Sequence, residues 1–169
     1  MHTRRTLLAM AIALPAAACA TPAASQAARS EDDAFLDGLL GDWMFEGQVE
    51  GEHAVMRAHG ARQLGGAWLE LHLIDAHMPP AYEARVFLSY DAEAGDYAAH
   101  WLDTFGAAGA RVVGTGRRTG DALVIDYPYA SGLFRNIWTK TPDGWTLSID
   151  AQQPDGGWSN FASYTVLRP

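Results

Sequence analysis

Arg135, Asp103, Trp101 and Tyr97 are the side chains with which this 169-residue chain could hold or act on a small molecule. Tyr97, Trp101 and Asp103 share a parity, so on a strand they line one face as an aromatic wall with a carboxylate. The same spacing serves ordinary core packing around a hydrogen-bonded acid. The orientation of Arg135 turns on Thr141-Pro142-Asp143-Gly144-Trp145. Proline fixes φ at about −65°, which suits the first corner of a type I turn with a left-handed Gly144 behind it, a three-residue loop. Thr141 then faces Trp145, and Arg135 joins Leu147 and Ile149 on the buried face. A two-residue Asp143-Gly144 turn instead sends Phe134, Asn136 and Trp138 inward. An inward arginine is an anion clamp for a carboxylate or phosphate on an apolar ligand, or the partner of an interior acid such as Asp103 or Asp126. With Asp103 as general base beside Arg135, the pair also offers a small-molecule enzyme.

Other polar groups are weaker candidates. Trp68, Glu70 and His72 alternate with Leu69, Leu71 and Leu73; the leucines read as the inner face, which puts Glu70 and His72 outside. The histidines lack the spacing that sets two metal ligands side by side, so no metal is expected. There is no nucleophile elbow, phosphate-binding glycine loop or dinucleotide fingerprint, and no cofactor is expected. Gly114 and Gly116 alternate within a strand, the mark of a bend at a barrel corner rather than a phosphate cradle.

These side chains must be positioned by strands. Ser30 before Glu31, Asp32 and Asp33 caps a short helix, along which Phe35, Leu36, Leu39 and Leu40 recur at helical spacing until Gly41. Beyond it, short runs alternate by twos between Gly, Pro, Asp and Asn clusters. Trp43, Phe45, Gly47 and Val49 form one face of the first run. Later runs are expected at 54–62, 68–75, 85–90, 98–104, 111–116, 123–127, 133–140, 145–152 and 158–168. About ten evenly spaced strands predict an all-β, closed, up-and-down antiparallel barrel with a short N-terminal helix, because closure removes exposed edges.

The N-terminal segment reads as an address. Arg4 and Arg5, the apolar run from Ala9 to Leu14, and small-residue pairs at Ala18 and Ala20 or Ser25 and Ala27 have the layout of a cleavable signal peptide. Residues 1–27 are therefore expected to be removed and 28–169 to form the barrel in the periplasm or outside the cell. Thr3-Arg4-Arg5-Thr6-Leu7-Leu8 also resembles a twin-arginine signal, and Cys19 behind alanines a degenerate lipoprotein box that would tether the chain to a membrane. The apolar run is too short to span a bilayer. Cys19 is the single cysteine, so the barrel has no disulfide and no thiolate chemistry. Removing two arginines and no acid moves the formal charge from −8 further negative, which argues against nucleic acid and anionic membrane as partners.

Gly41-x-Trp43 behind a short helix, followed by up-and-down strands, resembles the calycin superfamily of lipocalins and fatty-acid-binding proteins. Gly41-Asp42-Trp43, Leu64-Gly65-Gly66-Ala67-Trp68-Leu69, Ser89-Tyr90-Asp91 with Gly95 and Tyr97, Trp101-Leu102-Asp103 and Tyr164-Thr165-Val166-Leu167-Arg168 are similar to a bacterial family of lipocalin-like barrels catalogued only as a domain of unknown function. The resemblance spans roughly residues 34–168 and implies the fold, with no activity to transfer. It also implies that Trp43 packs under Arg168 and closes one end of the barrel. Nitrobindins share the outline but ligate haem through a late histidine, whereas here the six histidines end at His100. The expected function is an exported barrel that binds a small, largely apolar molecule, with a carboxylate where Arg135 faces in. The enzyme using Asp103 and Arg135, and an envelope protein-interaction module, are the alternatives.

Overall fold

Strict alternation of apolar and polar side chains forces each segment to bury one face, and a single meander does so by curling until its first strand meets its last. A computed structural model describes residues 30–169. The expected signal segment over 1–27, with Cys19 and both cleavage motifs, lies outside the described residues. Helix α1 (Glu31–Leu36) continues as a 3-10 turn (Asp37–Leu39). Ten strands follow: β1 (Gly41–Val49), β2 (Glu52–Gln63), β3 (Trp68–Asp75), β4 (Glu83–Asp91), β5 (Asp96–Asp103), β6 (Val113–Thr119), β7 (Ala122–Tyr129), β8 (Gly132–Lys140), β9 (Gly144–Gln152) and β10 (Trp158–Leu167). Each strand pairs antiparallel with the next, and β10 pairs with β1 to close the barrel.

The core is the inner face of this sheet. Leu69, Leu71 and Leu73 of β3 stand opposite Leu88, Val86 and Ala84 of β4, all fully or almost fully buried. Trp43 and Phe45 of β1 and Trp145 and Leu147 of β9 complete the apolar layer beneath the helix. The turns that join β2 to β3, β4 to β5, β6 to β7 and β8 to β9 ring one end of the barrel. Helix α1 plugs it. Phe35 meets Trp145 edge to face at 5.0 Å, Arg62 Nε donates to Asp37 Oδ1 at 2.8 Å, and Arg118 Nε donates to Asp32 Oδ1 at 2.7 Å. Ser30 Oγ caps the helix by accepting from the Asp33 amide at 3.0 Å.

The β8–β9 hairpin differs from the three-residue loop expected at Pro142. Thr141 N donates to the Gly144 carbonyl at 2.9 Å, and Gly144 N donates to Thr141 Oγ1 at 3.1 Å. Thr141 therefore faces Gly144, and Pro142-Asp143 alone form the turn. Gly144 is not a left-handed turn residue but the first residue of β9. A Cβ there would meet the Val166 carbonyl oxygen at 2.1 Å, so close approach of β10, not backbone handedness, demands glycine. Trp138 now stands opposite Leu147 and Asn136 opposite Ile149, so Phe134, Asn136 and Trp138 face inward and Arg135 faces out. The inner face of β9 is the expected one; β8 is displaced by one residue, which exchanges its faces.

Candidate functional site

At the end opposite the helix the barrel is not filled. The turns after β1, β3, β5 and β7 surround the mouth of a cavity of about 580 Å³. Its walls come from inward positions on eight strands, among them Ala54 and Met56 of β2, Trp101 and Asp103 of β5, Tyr127 and Tyr129 of β7, Phe134 and Asn136 of β8, and Tyr164 of β10. The room is left by small side chains and by glycine. A Cβ on Gly114 would come within 2.6 Å of the Tyr127 ring, so glycine on β6 lets that tyrosine lie back against the wall. The alternating pair at 114 and 116 thus serves close packing of β7 on β6, since a Cβ on Gly116 would meet the Val124 carbonyl at 2.0 Å.

Trp101 and Asp103 both line the cavity. Trp101 Nε1 donates to Tyr82 Oη at 2.9 Å, Tyr82 Oη lies 3.4 Å from Asp103 Oδ2, and the Phe105 amide donates to Asp103 Oδ1 at 3.0 Å. Burial first, then the neighbouring Asp103 carboxylate, pushes the Tyr82 phenol up, so it stays a neutral donor. Tyr97 shares their face but lies at the other end of the strand, where its hydroxyl donates to the Asp32 carbonyl at 2.8 Å beneath the helix. It holds the plug and is not part of the cavity lining.

Arg135 is outside. Its Nε and Nη2 donate to Asp126 Oδ1 and Oδ2 at 2.8 and 3.0 Å, a two-pronged pair, and its guanidinium lies 4.4 Å over the Trp158 ring. Asp126 occupies the outward parity of β7, between inward Ile125 and Tyr127, so it is not an interior acid either. The anion clamp and the Asp103–Arg135 acid-base pair both required an inward Arg135; the sheet stands between the two residues. Nor do the lining residues include any other arginine or lysine. Their charged and titratable members at the mouth are Glu50, Asp75, Asp103, His53 and His77. The Asp75 carboxyl is lowered to about 2 by the backbone amide and ring of His77 and by the Ala81 amide, so it is anionic at neutral pH.

The lining also contains polar groups that the strand pattern alone did not single out. Tyr127, 1% exposed, has a hydroxyl with no hydrogen-bond partner among the described residues. Asn136, 3% exposed, makes no side-chain hydrogen bond among the described residues. Burial pushes the Tyr127 phenol up and the Tyr164 phenol up to about 12, so both keep their protons. The run Leu123, Ile125, Tyr127, Tyr129 already displays the parity that turns Tyr127 inward. What it does not display is the lack of an acceptor, which depends on every strand facing it.

The other site residues are structural. The Arg168 guanidinium carbon lies 3.6 Å over the centroid of the Trp43 ring, and Arg168 Nη1 donates to the carbonyls of Leu40 and Asp42 at 2.8 and 3.2 Å. Trp43 Nε1 donates to the Leu39 carbonyl at 2.9 Å. On the outer wall, His72 pairs with Glu83 at 2.7 Å and Arg85 pairs with Glu70, which is buried beneath its neighbours, so the Glu70–His72 face is spent on side-chain pairs across the strands. Among the described residues no three His, Asp or Glu side chains converge to hold a metal ion, and no helix is long and apolar enough to cross a membrane. No protein-family model matches the chain, and no curated protein matches it.

Proposed function

We propose that the protein is an exported, lipocalin-like carrier of the calycin type that binds a small, largely apolar molecule in the open end of its barrel. The observation that carries this reading is the cavity of about 580 Å³, walled by aromatic side chains where a purely structural barrel would be filled. A closed ten-strand barrel plugged by an N-terminal helix supports the calycin assignment. The charged, apolar and small-residue order of residues 1–27 supports export. The neutral fluorescent probe N-phenylnaphthylamine tests the cavity. Saturable enhancement is expected for the wild type, with at least about a tenfold weaker signal in Ala54→Trp, where a large ring is set into the lining. No uptake, or uptake indifferent to Ala54→Trp, would overturn the reading. N-terminal sequencing of the protein from its native host tests export: a start beyond residue 20 is expected, and an intact Met1 in the cytoplasm refutes it.

A further inference from the structure

A wholly apolar ligand would leave this cavity with an unexplained feature. Among the described residues the buried Tyr127 hydroxyl has no acceptor, and the side-chain amide of Asn136 on the neighbouring strand makes no hydrogen bond. Tyr127 stands opposite Phe134 in the β7–β8 ladder and Asn136 opposite Ile125, so the two are diagonal neighbours on the same inner face. The phenol is held in place by packing. Its ring lies against the backbone of Gly114, where a Cβ would intrude to 2.6 Å, and stacks on Tyr129 with centroids 5.9 Å apart. A fixed, dry, unpartnered donor is a poor contribution to stability, and it gains a hydrogen bond when a ligand oxygen is pressed in beside it.

The charges in the lining narrow that acceptor. With Glu50, Asp75 and Asp103 at the mouth, no lysine or arginine among the lining residues, and the two lining histidines already paired, His53 with Glu46 and His77 with Asp75, an anionic head would be desolvated without a free counter-charge. A neutral oxygen carries no such penalty. It can accept from the Tyr127 hydroxyl, and the amide of Asn136 can donate to it or accept from it.

We infer that Tyr127 and Asn136 are the polar anchor of the cavity, and that its ligand is an uncharged apolar molecule bearing a carbonyl or hydroxyl oxygen at its buried end. This rests on the reading that the cavity is a ligand site, and the test separates the two. Three probes of one skeleton are titrated by isothermal calorimetry at neutral pH: acetylnaphthalene, its hydrocarbon isostere isopropylnaphthalene, and naphthoate. In the wild type the ketone is expected to bind about tenfold tighter than the hydrocarbon, and naphthoate weakest of the three. Tyr127→Phe should erase most of the ketone's advantage, leave the hydrocarbon's affinity unchanged and not lower the melting temperature of the empty protein, since it removes an unsatisfied hydroxyl. Asn136→Leu should reduce the same advantage and serves as the second variant. Equal binding of ketone and hydrocarbon in the wild type, a ketone preference that survives both substitutions, or tighter binding of naphthoate would overturn the anchor. Failure of all three probes to bind would overturn the cavity reading together with it.

Discussion

Which side of the sheet Arg135 occupies is decided by where one turn places its glycine. Thr141 and Gly144 close the β8–β9 turn around Pro142-Asp143, and every side chain on β8 follows from that pairing. The sequence contains the ingredients of both registers, because Pro-Asp-Gly serves a turn with glycine inside the loop or glycine on the strand. What selects between them is the approach of Val166 to Gly144, a contact between residues on different strands that no local rule encodes. The consequence at residue scale is that Arg135 is dispensable for binding. Its ion pair with Asp126 is about one-third exposed on both sides and stacks on a half-exposed Trp158. Arg135→Ala is therefore expected to reduce stability by less than about 1 kcal/mol, as for exposed pairs generally. Its affinity for N-phenylnaphthylamine should equal that of the wild type; a loss of about tenfold would return Arg135 to the ligand site. Trp101 and Asp103, by contrast, were legible from parity as inward, though the same parity served a packed core as well as a cavity wall. Tyr97 was legible as inward but not as belonging to the opposite end, because alternation specifies a face and not a height in the barrel.

Helix α1 is a plug held by charge and by the absence of side chains beneath it. Two acids of its first turn, Asp33 and Asp32, reach arginines of the barrel, Arg62 and Arg118. A Cβ on Gly60 would lie 2.0 Å from the Leu39 carbonyl, so the strand offers bare backbone where the plug comes down. Gly60→Ala should lift the plug, with a loss of about 1–3 kcal/mol as for overpacking, read as a shift in the urea midpoint; an unshifted midpoint would show that the plug adjusts freely. Acid should act on the same element. The hydrogen bond from Arg118, opposed by burial, holds the Asp32 carboxyl below its ordinary 3.8. A lowered folded-state pKa means that its contribution is complete above that ordinary value and is lost as pH falls through the folded value. Asp75, lowered to about 2, acts in the same direction at the other end. The melting temperature is thus expected to fall between about pH 4 and pH 2, and Asp32→Asn to start lower at neutral pH and fall less steeply across that window. An identical slope in the variant would exclude Asp32 as a source. Cap, helix and stop were readable from Ser30, the leucine spacing and Gly41. The arginines that seat the helix were not, since they come from β2 and β6, far along the chain.

At the scale of the whole molecule, the barrel must be closed by a seam between its first and last strands, and no disulfide is present to hold it. The β1–β10 ladder supplies part of that seam, running from Met44 opposite Leu167 to Val49 opposite Ala162. Trp43 and Arg168 supply its end. The guanidinium covers the indole at 3.6 Å and bonds the carbonyls of Leu40 and Asp42, while the indole nitrogen donates to Leu39, so one cluster joins plug, first strand and last strand. Gly41 is required there because a Cβ would stand 2.7 Å from Arg168 Nη1 and because its φ is +89°. Removing the indole deletes a core aromatic that is only 4% exposed, so Trp43→Ala is expected to cost about 3–5 kcal/mol in urea unfolding. Arg168→Ala leaves the indole in place and removes its cover and two hydrogen bonds, and should cost about 1–2 kcal/mol. The pattern of opening distinguishes a seam from ordinary packing. If the cluster closes the barrel, amide hydrogen exchange in Arg168→Ala should rise chiefly in β1 and β10, with β3 and β4 keeping wild-type protection, because only the first and last strands lose a partner when the seam parts. Uniformly raised exchange, or a Trp43→Ala loss below about 1 kcal/mol, the scale of a surface change, would mean that the ladder closes the barrel unaided.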